Sequence, residues 1–81
     1  MFKLKASDGT NNICRANLIY YREEQGLSQR ALALKLQVAG YDLDNHVIRR
    51  IENGERFVTD LEILALCDVL GIKPEELLKL K

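Results

Sequence analysis

The sequence is short of most residues that carry chemistry. It has two cysteines, Cys14 and Cys67, and one histidine, His46. Two cysteines are too few for a disulfide-built secreted scaffold, so a reducing cytoplasmic setting is expected. A structural zinc site takes about four ligands. Two thiols and one imidazole fall short of that, and no metal or other cofactor is expected. No apolar run approaches the ~20 residues of a membrane span, and the stretch from Met1 to Asp8 has no signal-peptide core. No serine or cysteine sits in a nucleophile motif, and no glycine-rich phosphate loop is present. The adjacent acidic pairs Glu23-Glu24 and Glu75-Glu76 fall at expected helix ends, where solvated carboxylates are ordinary. The chain is not expected to be an enzyme.

An excess of one charge is also missing. Twelve basic residues face 12 acidic ones, giving a net charge of zero and a pI near 6.6. A histone-like, nonspecific nucleic-acid binder would be more basic. Any contact with nucleic acid therefore has to use a local basic face. Between residues 28 and 56 stand five bases (Arg30, Lys35, Arg49, Arg50, Arg56) and four acids (Asp42, Asp44, Glu52, Glu55), a surplus of one.

What is present describes a small folded unit. At 81 residues and 47% hydrophobic content, the chain fits one globular domain rather than a disordered segment. A chain of this length has a total stability of roughly 4–12 kcal/mol. Residues 1–11 read as an N-terminal arm or short strand: Phe2, Leu4 and Ala6 alternate with Lys3 and Lys5, and a turn cluster runs from Ser7 to Asn12. From 12 to 81 the pattern is helical. Gly26, Gly40, Gly54 and Gly71 punctuate it where helix C-termini use a left-handed residue, and Pro74 suits a first helical turn. The expected fold is all-α, with five helices over 12–25, 29–39, 45–53, 60–70 and 74–80.

Capping patterns support these starts. Leu27/Leu32 flank Ser28, Leu43/Ile48 flank Asp44, Val58/Ile63 flank Thr59, and Ile72/Leu77 flank Lys73. Each matches a hydrophobic staple, and Thr59 with Glu62 adds a capping box. Helices this short need a shared core. Its expected members are Leu18, Tyr21, Leu32, Leu36, Ile48, Ile51, Leu61, Leu64, Cys67, Leu70 and Leu77. Cys14 and Cys67 read as reduced, buried thiols. Of Tyr20 and Tyr21, one ring belongs in the core and one at its rim. Ile19 and Tyr20, with Leu77, Leu78 and Leu80, are candidates for a dimer surface or for further core.

Two short helices joined by a glycine-containing turn, over residues 28–54, make a helix-turn-helix candidate. At ~100° per residue, Val47, Ile48 and Ile51 gather on one side of the second helix. Asn45, His46, Arg49 and Arg50 gather on the other. Such side chains serve a solvated face, and they also reach bases and phosphates: arginine suits guanine, asparagine suits adenine, and histidine donates or accepts.

The residues Leu27-Ser28-Gln29, Leu32-Ala33 and Ile48-Arg49-Arg50-Ile51-Glu52-Asn53-Gly54 closely resemble the lambda-repressor-like (XRE-type, Cro-like) helix-turn-helix family. The resemblance extends upstream through Leu18–Arg22 and Gly26, and downstream through Leu61, Leu64, Leu70-Gly71-Ile72 and Glu76-Leu77. It implies a five-helix DNA-binding domain whose helix from Asn45 enters the major groove of double-stranded DNA. Gln29, Asn45, His46 and Arg49 become candidate base readers. Ser28, Arg30, Arg50 and Arg56 become candidate phosphate contacts, which position without specifying. Arg22 and Glu52 match the positions of a buried ion pair. One departure stands out, because the connection from Leu36 to Ile48 is longer than the family's usual turn. Asp44 within it suits an N-cap and is an alternative acceptor for a cytosine amino group. The implied function is a sequence-specific transcriptional regulator, a repressor acting by promoter occupancy as a homodimer. The alternative is a protein-interaction module, antitoxin-like or a scaffold, that keeps the fold without strong DNA binding.

Overall fold

Side-chain caps set where three of the helices begin. The structure is a computed structural model in which residues 5–80 are described. Ser28 Oγ accepts the Ala31 N–H at 3.0 Å and starts α2, Gln29–Val38. Asp44 Oδ1 accepts the Val47 N–H at 3.0 Å and starts α3, Asn45–Glu52. Thr59 and Glu62 cap each other reciprocally at the start of α4, Asp60–Leu70. Each bond satisfies an N–H that the first helical turn leaves unpaired. Before them runs α1, Arg15–Glu24, and after them α5, Pro74–Leu77. At α5 the carboxylate of Glu76 accepts the Lys73 N–H at 2.9 Å.

The stops follow the glycines. After α2, Gly40 takes φ 95°. That turn lets the Tyr41 N–H reach the Leu36 carbonyl at 2.9 Å and the Gly40 N–H reach that of Gln37 at 3.0 Å. This is the paired C-terminal closure that a left-handed residue makes possible. The long connection is thus a helix stop followed by an extended approach to the Asp44 cap, and Leu43 inside it is only 7% exposed.

α3 packs against both α1 and α2, α4 lies on α2, and α5 closes the bundle against α1 and α4. Leu18, Leu32, Leu36, Ile48, Ile51, Leu66 and Leu77 are fully buried, so every helix contributes to one core. Cys14 and Cys67 are free and buried, and burial pushes the Cys14 thiol up to about 11, leaving it protonated and unreactive. Tyr21 is half-buried against the core. Tyr20 is exposed and meets the Tyr21 ring edge-on, with centroids 5.0 Å apart.

Several expectations need correction. Leu61 and Leu64 are 74% and 56% exposed, and Ile63, Ala65 and Leu66 take their place in the core. The α4 sequence is apolar on most sides, so its periodicity alone does not select a face. Asp60 and Asp68 mark the outer one. α1 begins at Arg15 rather than residue 12, because Asn11 and Asn12 are drawn to the far end of α3. α5 ends at Leu77, where Asn17 Nδ2 donates to the carbonyls of Leu77 and Lys79 at 2.8 and 2.7 Å. Phe2 and Leu4 of the expected arm or strand lie outside the described residues. Lys5 and Ala6 carry no strand; residues 6–10 form a turn in which Asp8 Oδ1 accepts from Thr10. Leu77 of the candidate dimer surface belongs to the core, whereas Leu78, Leu80 and Tyr20 are exposed.

Candidate nucleic-acid interface

α3 is anchored along one side and at both ends. Ile48 and Ile51 face the core with no exposure, while His46, Arg49 and Arg50 are exposed and Asn45 is half-buried. The Asp44 cap and buried Leu43 hold its start. Its end is held by Glu52. Arg22 of α1 donates through Nε to Glu52 Oε2 at 2.6 Å and through Nη2 to Oε1 at 2.9 Å. The two side chains are 12% and 6% exposed. The third guanidinium nitrogen, Nη1, donates to the Leu27 carbonyl at 2.8 Å, so the same arginine also fixes the α1–α2 turn. The hydrogen bond to Glu52 raises the Arg22 pKa further, against a smaller opposing effect of burial.

The N-terminal segment supplies a second clamp that pattern reading missed. Asn12 Nδ2 donates to the carbonyls of Ile51 and Arg56 at 3.1 and 2.9 Å. Arg15 Nε donates to the Glu52 carbonyl at 3.0 Å, and Asn11 Nδ2 donates to the Glu55 carbonyl at 2.8 Å. Ile51 and Glu52 close α3, whose last turn leaves carbonyls without intrahelical partners, while Glu55 and Arg56 belong to the segment that follows it. The asparagines stand in a turn-like run, and nothing local indicates partners some 40 residues away.

The expected site residues divide into two groups. Arg49 Nη2 lies 3.2 Å from His46 Nδ1 on the outer face of α3. Arg50 pairs with Glu55 at 3.5 Å while remaining 54% exposed. Ser28, the N-cap of α2, and Arg30, in its first turn, are exposed, and the partial positive charge and free N–H groups of that helix start suit a phosphate. Gln29 and Arg56 are tied to carboxylates instead. Gln29 Nε2 donates to Glu52 Oε1 at 2.9 Å, which brings the start of α2 beside the end of α3. Arg56 pairs with Glu62 and is 31% exposed. Asp42 and Asp44 are exposed at the start of α3, so that end of the surface is acidic. Among the described residues, no cluster of histidine, cysteine and carboxylates could hold a metal, and no helix is long and apolar enough to cross a membrane.

The helix-turn-helix family model matches residues 18–77. The chain belongs to the lambda-repressor-like helix-turn-helix family. Among solved structures of the fold, the restriction-modification controller protein C.AhdI from Aeromonas hydrophila is 34% identical, with a TM-score of 0.69 over 79% of this chain and 86% of that one. The DNA-binding domain of BldD is 30% identical, with a TM-score of 0.72 over 90% of this chain and 99% of that one. A hypothetical transcription factor, NHTF, from Neisseria shares the fold at 20% identity, with a TM-score of 0.75 over 96% of this chain and 84% of that one. A comparison with curated proteins gives no match. Family and neighbours support a helix-turn-helix DNA-binding regulator, with α2 and α3 as the motif helices.

Proposed function

We propose that this protein is a sequence-specific DNA-binding transcriptional regulator that represses by occupying a promoter. The observation that carries this reading is the outward face of α3. His46, Arg49 and Arg50 project from a helix whose opposite side and both ends are fixed in the fold. Side chains on so constrained a helix can approach base edges with the tight geometry that hydrogen bonding requires. Asn45, His46 and Arg49 read bases in the major groove. Arg30 and Arg50, with the first turn of α2 at Ser28, hold phosphates. Gln29 and Arg56, engaged by Glu52 and Glu62, contribute chiefly by steadying α2 and the segment after α3.

One module offers few base contacts, so two copies bind a pseudo-palindrome as a homodimer. The exposed Leu61 and Leu64 on α4 give apolar surface for association. The same surface, with the zero net charge, favours the second reading, an interaction module of the same fold with little DNA affinity.

Run-off transcription tests the repressor role. A site selected by the protein from random duplex is placed over a promoter core. Protein-dependent loss of transcript, restored by moving the site far upstream, is expected. Binding without loss of transcript would reject repression by occupancy.

A further inference from the structure

We propose that His46 and Arg49 act as one reading unit that selects acceptor-rich base edges, with guanine under Arg49. The proposal rests on the DNA-binding reading above and names the sequence class that surface takes. Its basis is the contact of Arg49 Nη2 with His46 Nδ1 at 3.2 Å on the outer face of α3. A guanidinium carries only donors, so the imidazole Nδ1 in this contact is the acceptor. The neutral ring then carries its proton on Nε2. Both outward edges of the pair are donors: the His46 Nε2–H and the remaining N–H groups of Arg49.

A donor-only pair discriminates by chemistry. Guanine offers two acceptors, N7 and O6, to the major groove, and thymine offers O4. Cytosine presents an amino donor and adenine a mixed pattern. Arg49 held in one orientation matches the two guanine acceptors in bidentate fashion. His46, one helical turn earlier, donates to an acceptor of a neighbouring base pair. Holding Arg49 through His46 also reduces the rotamer freedom that a long, exposed side chain loses on binding. His46 is therefore a positioning residue for Arg49 as well as a reader.

Selection from a random duplex library, followed by competition binding with single-base variants, tests this with wild type, Arg49→Ala, His46→Ala and His46→Gln. The wild-type site should hold a G·C pair whose preference Arg49→Ala abolishes. His46→Ala should lower the preference at that guanine about tenfold, although Arg49 is still present. His46→Gln, whose amide oxygen can accept from Arg49, should restore the guanine preference. A selected site at which His46→Ala leaves the guanine preference intact would overturn the unit while leaving DNA binding standing. So would an A·T pair, in either orientation, at the Arg49-dependent position. Failure of every variant to bind random duplex or select a site would overturn the DNA-binding reading and this proposal with it.

Discussion

Arg22 grips both carboxylate oxygens of Glu52, at 2.6 and 2.9 Å, and thereby ties α1 to the last turn of α3. Both side chains are nearly removed from solvent, and Gln29 adds a further hydrogen bond to the same carboxylate. Taking away one partner leaves the other charge buried and unpaired, which typically costs about 3–5 kcal/mol. Glu52→Ala and Arg22→Met should each destabilise by that amount, a large share of a total of roughly 4–12 kcal/mol. Urea melts decide it. Midpoints close to wild type would put the pair in the class of surface ion pairs worth under ~1 kcal/mol.

Gly40 and Gly54 both take positive φ, at 95° and 83°, but only Gly54 is also crowded. A Cβ at Gly54 would lie 2.6 Å from Thr10 Cγ2, whereas one at Gly40 would meet nothing within 4 Å. Gly40→Val should cost more than ~1 kcal/mol, because a β-branched residue is disfavoured there. Gly54→Ala should cost more than Gly40→Ala, and the cost of Gly54→Ala should shrink when it is measured in a Thr10→Gly background. Equal costs for the two alanine variants in denaturant melts would contradict the contact.

Arg50 faces a competitor in the free protein, the carboxylate of Glu55 at 3.5 Å. Arg49→Ala should cost about 1–3 kcal/mol on the selected site and relax one position. Arg50→Ala should weaken all sequences alike and flatten the salt dependence by about one unit. Glu55→Gln should strengthen binding to all sequences, since Arg50 then has no anion to leave. Titrations over a salt series check all three. The same loss on specific and random DNA for both arginine variants would remove the division of labour.

Much of the motif was legible because its determinants are local. Ser28, Asp44 and Thr59 each sit three residues from the N–H they cap, and Gly40 ends α2 next to the carbonyls it exposes. The α4 face was not legible from periodicity, since apolar residues occur nearly all round it; the positions of Asp60 and Asp68 were the available signal. The Asn12 and Arg15 clamp on α3 was hidden for a different reason. A short polar side chain that pairs with a distant backbone carbonyl leaves no periodic trace. The same holds for Gln29 and Arg56, whose engagement by Glu52 and Glu62 depends on tertiary packing.

Glu62 gives the fold an acid-sensitive point. Burial pushes its pKa up, but the Thr59 N–H and the Arg56 guanidinium outweigh that and hold it below the ordinary carboxylate value. A carboxyl lowered in the folded state adds stability that is present above its unfolded pKa, ~4.3, and lost as pH falls through the folded value. Glu62→Gln should therefore be less stable than wild type at neutral pH, with the gap closing below about pH 4. Melts across that range would show a constant gap if the carboxylate charge were immaterial.

The central claim is that the outer face of α3, with the first turn of α2, binds DNA. Fluorescence anisotropy on a random-sequence duplex tests it most directly, with wild type and an Arg30→Ala/Arg49→Ala/Arg50→Ala variant whose urea midpoint matches wild type. At low salt the wild type should bind with a Kd of roughly 1–100 μM and weaken steeply as salt rises, and the variant should not bind. No anisotropy change for the wild type at tens of micromolar protein, or equal binding by the variant, would contradict the account.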